Sequence, residues 1–122
     1  MSKLDYVDYA VHCILFAAGG NVICAPDLDQ QICFYRIEDG QILQRFPTGD
    51  ARVFALGLSR DERLLAAGSS DGTVRVFDTS SGEMLFADRR HNMTVWSVEF
   101  DPTSDRLISA GRDNRVTARG AT

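Results

Sequence analysis

Between residues 64 and 78 the chain reads LLAAGSSDGTVRVFD: a short apolar run from Leu64 to Gly68, a polar break, then a run from Thr73 to Phe77 in which β-branched residues alternate with others. Apolar runs of this length and a period of two predict two short strands. Asp71-Gly72, lying between them, predicts a tight hairpin turn. Gly72 tolerates the positive φ such a turn requires, and Asp71 can accept a hydrogen bond from the backbone just beyond it.

The same pattern recurs at a period of 42 residues. Shifting by 42 takes Asp71 to Asp29 and Asp113, Val53 to Val11 and Val95, Val74 to Ile32 and Val116, and Leu65 to Ile23 and Leu107. The first unit predicts strands at 11–16, 22–25, 32–37 and 41–46; the second at 53–58, 64–68, 73–77 and 83–87; the third at 95–100, 106–110 and 115–118, where the sequence stops before a fourth. Four short antiparallel strands in about 40 to 45 residues is the length of one blade of a β-propeller. The expected fold is therefore all-β, a single segment of about three blades at roughly 10–47, 52–88 and 94–119, the last without its fourth strand.

Equivalent positions on these strands give the expected core: Val53, Leu65, Val74, Val76, Val95, Trp96, Val98, Phe100 and Leu107. A blade is apolar on both faces and a ring closes with about four to eight of them. Three blades leave two apolar faces open, so either a propeller remainder or self-association, a homo-oligomeric ring, is expected to cover them.

Composition and charge narrow the reading without changing it. Of the 122 residues, 44% are hydrophobic and 25% charged, with no apolar run long enough to span a bilayer, so no membrane partner is expected. The formal charge of −4 argues against a general nucleic-acid binder. Its distribution is uneven: residues 88–122 hold six Arg and five acids, and those Arg read first as solvated positions. Asp5, Asp8 and His12 interrupt what would otherwise resemble a signal sequence, and the start of the chain reads as a first strand. Cys13, Cys24 and Cys33 are odd in number; Cys13 matches Ala55 and Ser97, and Cys24 matches Ala66 and Ile108, in the other units. They fit buried thiols rather than disulfides or zinc ligands, which places the chain in the cytoplasm or nucleus.

No catalytic constellation stands out. His12 and His91 are 79 positions apart, and no Ser or Cys has His and Asp at a spacing suited to nucleophilic catalysis. AAGG at 17–20 lacks the Lys and following helix of a phosphate loop. No enzyme activity, cofactor or metal is expected.

The run GSSDGTVRVFDTSSGE resembles the signature of WD-repeat β-propellers, with Phe77-Asp78 where Trp-Asp is usual, and HNMTVWSVEFDPTSDRLISAG resembles the start of a following repeat. The resemblance covers about residues 10–118. It implies a hydrogen-bonded chain of His, Ser or Thr, Asp and Trp within each blade. His91, Ser109 and Asp113 match the first three positions in the third repeat, and the fourth falls on Arg119. In the second repeat Asp71 matches, Phe77 replaces the Trp, and Gly49 and Ala67 stand at the His and Ser positions; in the first, Asp29 and Tyr35 match.

What the resemblance implies about function is a non-enzymatic protein–protein interaction scaffold within a larger propeller or complex, its protein partners not specified. One alternative is a structural protein that closes a ring by homo-oligomerisation. A further one is a superkiller-like subunit of an RNA-processing or transcription-associated assembly. The candidate protein-binding face comprises Ser70 and Arg112, which directly precede a hairpin Asp, and Arg52 and Thr94, which directly precede the first strands of their units.

Overall fold

The computed structural model describes residues 13–26, 31–47, 51–102 and 106–120. Among these residues eleven strands are formed, all pairing with antiparallel neighbours. The first sheet contains β1 (Leu15–Ala17), β2 (Val22–Pro26), β3 (Ile32–Arg36) and β4 (Ile42–Phe46). A second contains β5 (Val53–Leu58), β6 (Leu64–Ser69), β7 (Thr73–Asp78) and β8 (Met84–Arg89). The third has β9 (Val95–Phe100), β10 (Arg106–Gly111) and β11 (Val116–Gly120). Within each sheet the strands lie in chain order. Among the described residues there is no α-helix; AAGG contributes a single 3-10 turn at Ala18–Gly20.

Most strands fall where the alternation predicts them. β1 is the exception: its described part is Leu15–Ala17 rather than 11–16, and Val11, His12 and the lead-in at 1–9 lie outside the described residues.

The three sheets stack face to face, with the second between the others. One side of it, through Val53, Leu56, Leu65, Ala67 and Phe77, packs on Cys24, Ile32, Phe34 and Phe46 of the first sheet. There the Phe46 ring sits 5.5 Å from Phe34 and 5.4 Å from Phe77 in edge and tilted arrangements, the geometries that aromatic quadrupoles favour. The other side presents Ala55, Ala66, Val74 and Val76 to Val95, Val98 and Leu107 of the third sheet. This second seam is close. A Cβ on Gly68 would stand 2.5 Å from Cγ1 of Val95, so the glycine is what lets β6 approach β9.

The middle sheet is packed on both faces by its neighbours, and the far side of the first sheet is itself buried at Ala25 and Cys33. Phe16, 65% exposed, lies on the far side of the first sheet, and Val116, 74% exposed, on the far side of the third.

Two core expectations need correction. Trp96 is 52% exposed, and Phe100 is half-buried at the margin of the second seam rather than inside it. Trp96 is displaced by a β-bulge, described below. The other seven predicted core residues, Val53, Leu65, Val74, Val76, Val95, Val98 and Leu107, are each no more than 3% exposed.

Candidate functional site

At one end of the second and third sheets the inner-strand entries meet the β6–β7 and β10–β11 hairpins. The Asp71 carboxylate accepts from the Thr73 backbone N–H at 3.0 Å, and the Gly72 N–H donates to the Ser69 carbonyl at 3.1 Å, which closes the turn. Next to it the Ser70 N–H donates to the Arg52 carbonyl at 2.8 Å, and the Arg52 N–H returns a 3.3 Å bond to Ser70 Oγ. The third sheet repeats the arrangement: the Arg112 N–H donates to the Thr94 carbonyl at 2.8 Å. The four residues of the predicted face thus form two coupled pairs, Arg52 with Ser70 and Thr94 with Arg112. Arg52, Ser70 and Arg112 are exposed and Thr94 half-buried.

Two aromatic residues join the pairs. In β5, Val53 faces Ser69 and Ala55 faces Gly68, so Phe54 is the extra residue of a bulge. In β9, Val95 faces Gly111 and Ser97 faces Ala110, which makes Trp96 the extra residue of an equivalent bulge 42 positions later. A bulge re-aims its extra side chain and changes the in/out parity after it. Consequently Val95 and Val98, three apart instead of two, share the buried face, while Trp96 turns out of the core. Its ring meets Phe54 edge-on, centroids 5.6 Å apart at 88°. The strip therefore runs Ser70, Arg52, Phe54, Trp96, Thr94, Arg112 across two sheets. Neither aromatic was among the expected face residues. The signal that could have shown them is the apolar spacing of three at Val53/Leu56 and Val95/Val98, which strict alternation does not produce.

Behind the strip, polar groups brace each hairpin. His91 is buried, its Nδ1 3.0 Å from Asp113 Oδ1 and its Nε2 2.9 Å from Ser109 Oγ; Ser109 Oγ is in turn 2.7 Å from Thr117 Oγ1. With Nδ1–H donating to the carboxylate, Nε2 of a neutral ring accepts the Ser109 hydroxyl. The chain ends on Thr117, and Arg119 does something else. Its guanidinium lies 3.8 Å from the Phe86 ring centroid and 2.9 Å from Asp88 Oδ2, fastening β11 to β8 of the middle sheet. Arg90 Nη2 donates to the Ala118 carbonyl at 3.1 Å, and its Nε lies 3.4 Å from the same Asp88 oxygen without a hydrogen bond.

In the second repeat Ala67 is an ordinary core residue, and the polar work passes to neighbours on the same strand pair. Arg75 donates to Ser69 Oγ at 3.0 Å and to Asp71 Oδ2 at 3.3 Å. Asp29 lies outside the described residues; Tyr35 is half-buried on β3.

Both hairpin carboxylates are held in their ionised form. Burial works to raise the Asp71 carboxyl, but the Thr73 N–H and the Arg75 guanidinium outweigh it and leave it below the usual range. At Asp113 burial is likewise outweighed, by the Asn92 N–H, the His91 ring and the Arg115 N–H. The thiols move the other way. Burial pushes Cys13 up to about 11 and raises Cys24 further, so neither is a thiolate near neutral pH. All three cysteines are free.

The opposite end of the inner strands holds a cleft of about 300 Å³ between Phe16, Leu58, Arg60, Glu99 and Phe100. Glu62 stands on its rim with its carboxylate accepting from the Ala18 N–H at 3.0 Å, which ties the first sheet's turn to the second's.

Residues 29–103 match the family of the anaphase-promoting complex subunit 4 WD40 domain. Nuclear pore complex protein nup43 of Dictyostelium discoideum is 29% identical over 116 residues, spanning 91% of this chain and 28% of that protein. Periodic tryptophan protein 2 of Arabidopsis thaliana is 34% identical over 98 residues, 80% of this chain and 11% of that one. Among solved structures, the crystal structure of the RRP9 WD40 repeats superimposes with a TM-score of 0.81 at 20% identity, covering 90% of this chain and 35% of that one. The chain thus spans between 11% and 28% of the length of these curated relatives.

Proposed function

The chain belongs to the WD40-repeat family represented by the anaphase-promoting complex subunit 4 WD40 domain, and from that premise we propose that it is a non-enzymatic scaffold that docks a protein partner on the strip from Ser70 to Arg112. The observation that carries this reading is the double bulge. Leaving a tryptophan 52% exposed forgoes about half the burial of a large apolar side chain, roughly 1 to 1.5 kcal/mol, and the fold does so beside two exposed arginines whose backbones are fixed by hydrogen bonds. Trp and Arg are the residues most enriched at the energetic centres of interfaces. The proposed organisation is one WD-repeat segment with blades at about 10–47, 52–88 and 94–119. Residence in the nucleus or cytoplasm is proposed with it; nup43 is by name a nuclear pore complex protein.

The test is a quantitative pull-down comparing the parent with the Arg52→Ala/Arg112→Ala double variant, after both show the same melting curve. Specific loss of a partner from the variant supports the docking face. Retention of every partner by the variant removes it.

A second reading rests on the exposed outer face of the third sheet at Val116: the segment completes a ring with further blades or with another copy of itself. Sedimentation of the purified chain separates this from a monomeric scaffold, since a ring of copies has at least twice the 13.5 kDa chain mass.

A further inference from the structure

Resting on that docking face, we propose that its partner is an acidic peptide segment carrying one aromatic or large aliphatic anchor, the anchor packed on Trp96 and flanking carboxylates on Arg52 and Arg112.

The charge argument starts from what the nearby acids do. Asp71 is taken up by Thr73 and Arg75, and Asp113 by His91, the Asn92 N–H and the Arg115 N–H. Both keep their negative charge, but the two hairpins set them against four guanidiniums, Arg52, Arg75, Arg112 and Arg115, an excess of two positive charges among the described residues. Some arginines elsewhere are matched, Arg36 by Asp39, Arg106 by Asp101 and Arg119 by Asp88, and others, such as Arg45 and Arg89, stand singly among the described residues. Arg52 and Arg112 form no ion pair among the described residues. The strip is thus a local cationic surface on a chain of net charge −4, complementary to a short acidic segment. A long polyanion such as RNA would also meet the acids elsewhere on the chain.

The anchor argument concerns rigidity. Trp96 is half exposed, yet its ring is braced edge-on by Phe54 and its backbone is held in the bulge between Val95 and Ser97. An aromatic surface fixed in advance loses little conformational entropy when an apolar side chain packs on it. A guanidinium on either side adds bidentate recognition of carboxylates.

Trp96 is the chain's single tryptophan, so its fluorescence reports on this surface alone. The probes are a short Asp/Glu peptide with a central Phe, the same peptide with Asn/Gln in place of the acids, the acidic peptide with Ala in place of Phe, and oligouridylate RNA. A saturable change in Trp96 emission is expected with the first probe. It should weaken by about tenfold or more with either altered peptide and as salt rises from about 50 to about 300 mM. Anisotropy of the labelled first peptide extends the test to variants: Arg52→Ala/Arg112→Ala should lose most of the binding without change in melting, and Trp96→Ala should lose most of it while still unfolding cooperatively above the assay temperature. Equal binding of the neutral peptide, tighter binding of the RNA, or no saturable response to the acidic peptide overturns the proposal. If the acidic peptide fails while the pull-down still depends on Arg52 and Arg112, the docking face stands and the acidic partner falls; if both fail, the face falls too.

Discussion

A Cβ placed on Gly72 would stand 1.9 Å from the carbonyl oxygen of His91. The glycine has φ 84° at the tip of the β6–β7 hairpin, and its own carbonyl accepts from the N–H groups of both Arg90 and His91 at 3.1 Å. The hairpin of the second repeat is therefore also the seat of the residue that opens the third. Any side chain at this position meets strain at positive φ and a backbone atom that cannot move without breaking those bonds.

Gly72→Val, and even Gly72→Ala, should accordingly cost more than the roughly 1 to 3 kcal/mol of a strained φ alone. Urea unfolding of the parent and both variants measures it. An Ala variant with the parent's midpoint would mean that the turn and the following segment are not packed as described.

Leu65 and Trp96 separate the buried face from the exposed strip. Leu65 is 0% exposed within the seam of the first two sheets, so Leu65→Ala should lose about 2 to 5 kcal/mol, as cavity-forming truncations do. Trp96→Ala should lose less, about 1 to 2 kcal/mol, because half of its surface is already exposed and the rest goes with its edge contact to Phe54. Equal losses would restore Trp96 to the core.

That contrast also marks what was legible in the sequence. The period of 42, the Asp71-Gly72 hairpin and the apolar alternation place the strands of the second and third sheets within two residues of where they form, because each strand's period and turn chemistry are local. The bulges at Phe54 and Trp96 were not legible by the same rule, since alternation assumes that every residue takes part in the ladder. The bracing of the second hairpin was hidden for another reason. Ala67 stands where a hydroxyl is expected, but Ser69, two residues on and facing the same side, reaches Arg75 instead. Position-by-position comparison misses a partner supplied from a neighbouring turn of the pattern. Arg119 looked like a lost aromatic; it serves as a link to Phe86 and Asp88, 33 and 31 residues earlier, a contact that no local pattern encodes.

Acid should weaken the fold through its turn carboxylates. Asp71, Asp113, Asp78, Asp61 and Asp39 all have folded values below the ordinary 3.8. A lowered folded value means that the unfolded chain takes up protons first. The stabilisation is complete above the ordinary value and is lost as pH falls from there through the folded values. Asp71→Asn removes one contributor. The stability gap between parent and variant should be widest near pH 6 and close as pH drops below about 4. A gap that stays constant from pH 6 to about pH 2.5 would show that the Asp71 carboxylate contributes nothing in its ionised form.

The link between β11 and the middle sheet can be weighed by a double-mutant cycle. Arg119 is 34% exposed and Asp88 33%, so solvent screens their 2.9 Å pair and limits its coupling to about 0.5 to 1 kcal/mol. The Phe86 face adds roughly another 0.5 to 1 kcal/mol as a cation–π contact. Arg119→Ala should then lose about 1 to 2 kcal/mol in total, and Arg119→Lys less, since a lysine keeps the charge while losing the planar stack. Asp88→Ala combined with Arg119→Ala should be less damaging than the sum of the two single changes. Strict additivity would mean that Arg119 and Asp88 do not couple, leaving β11 to its ladder with β10, the Phe86 contact and the Arg90 bond to Ala118.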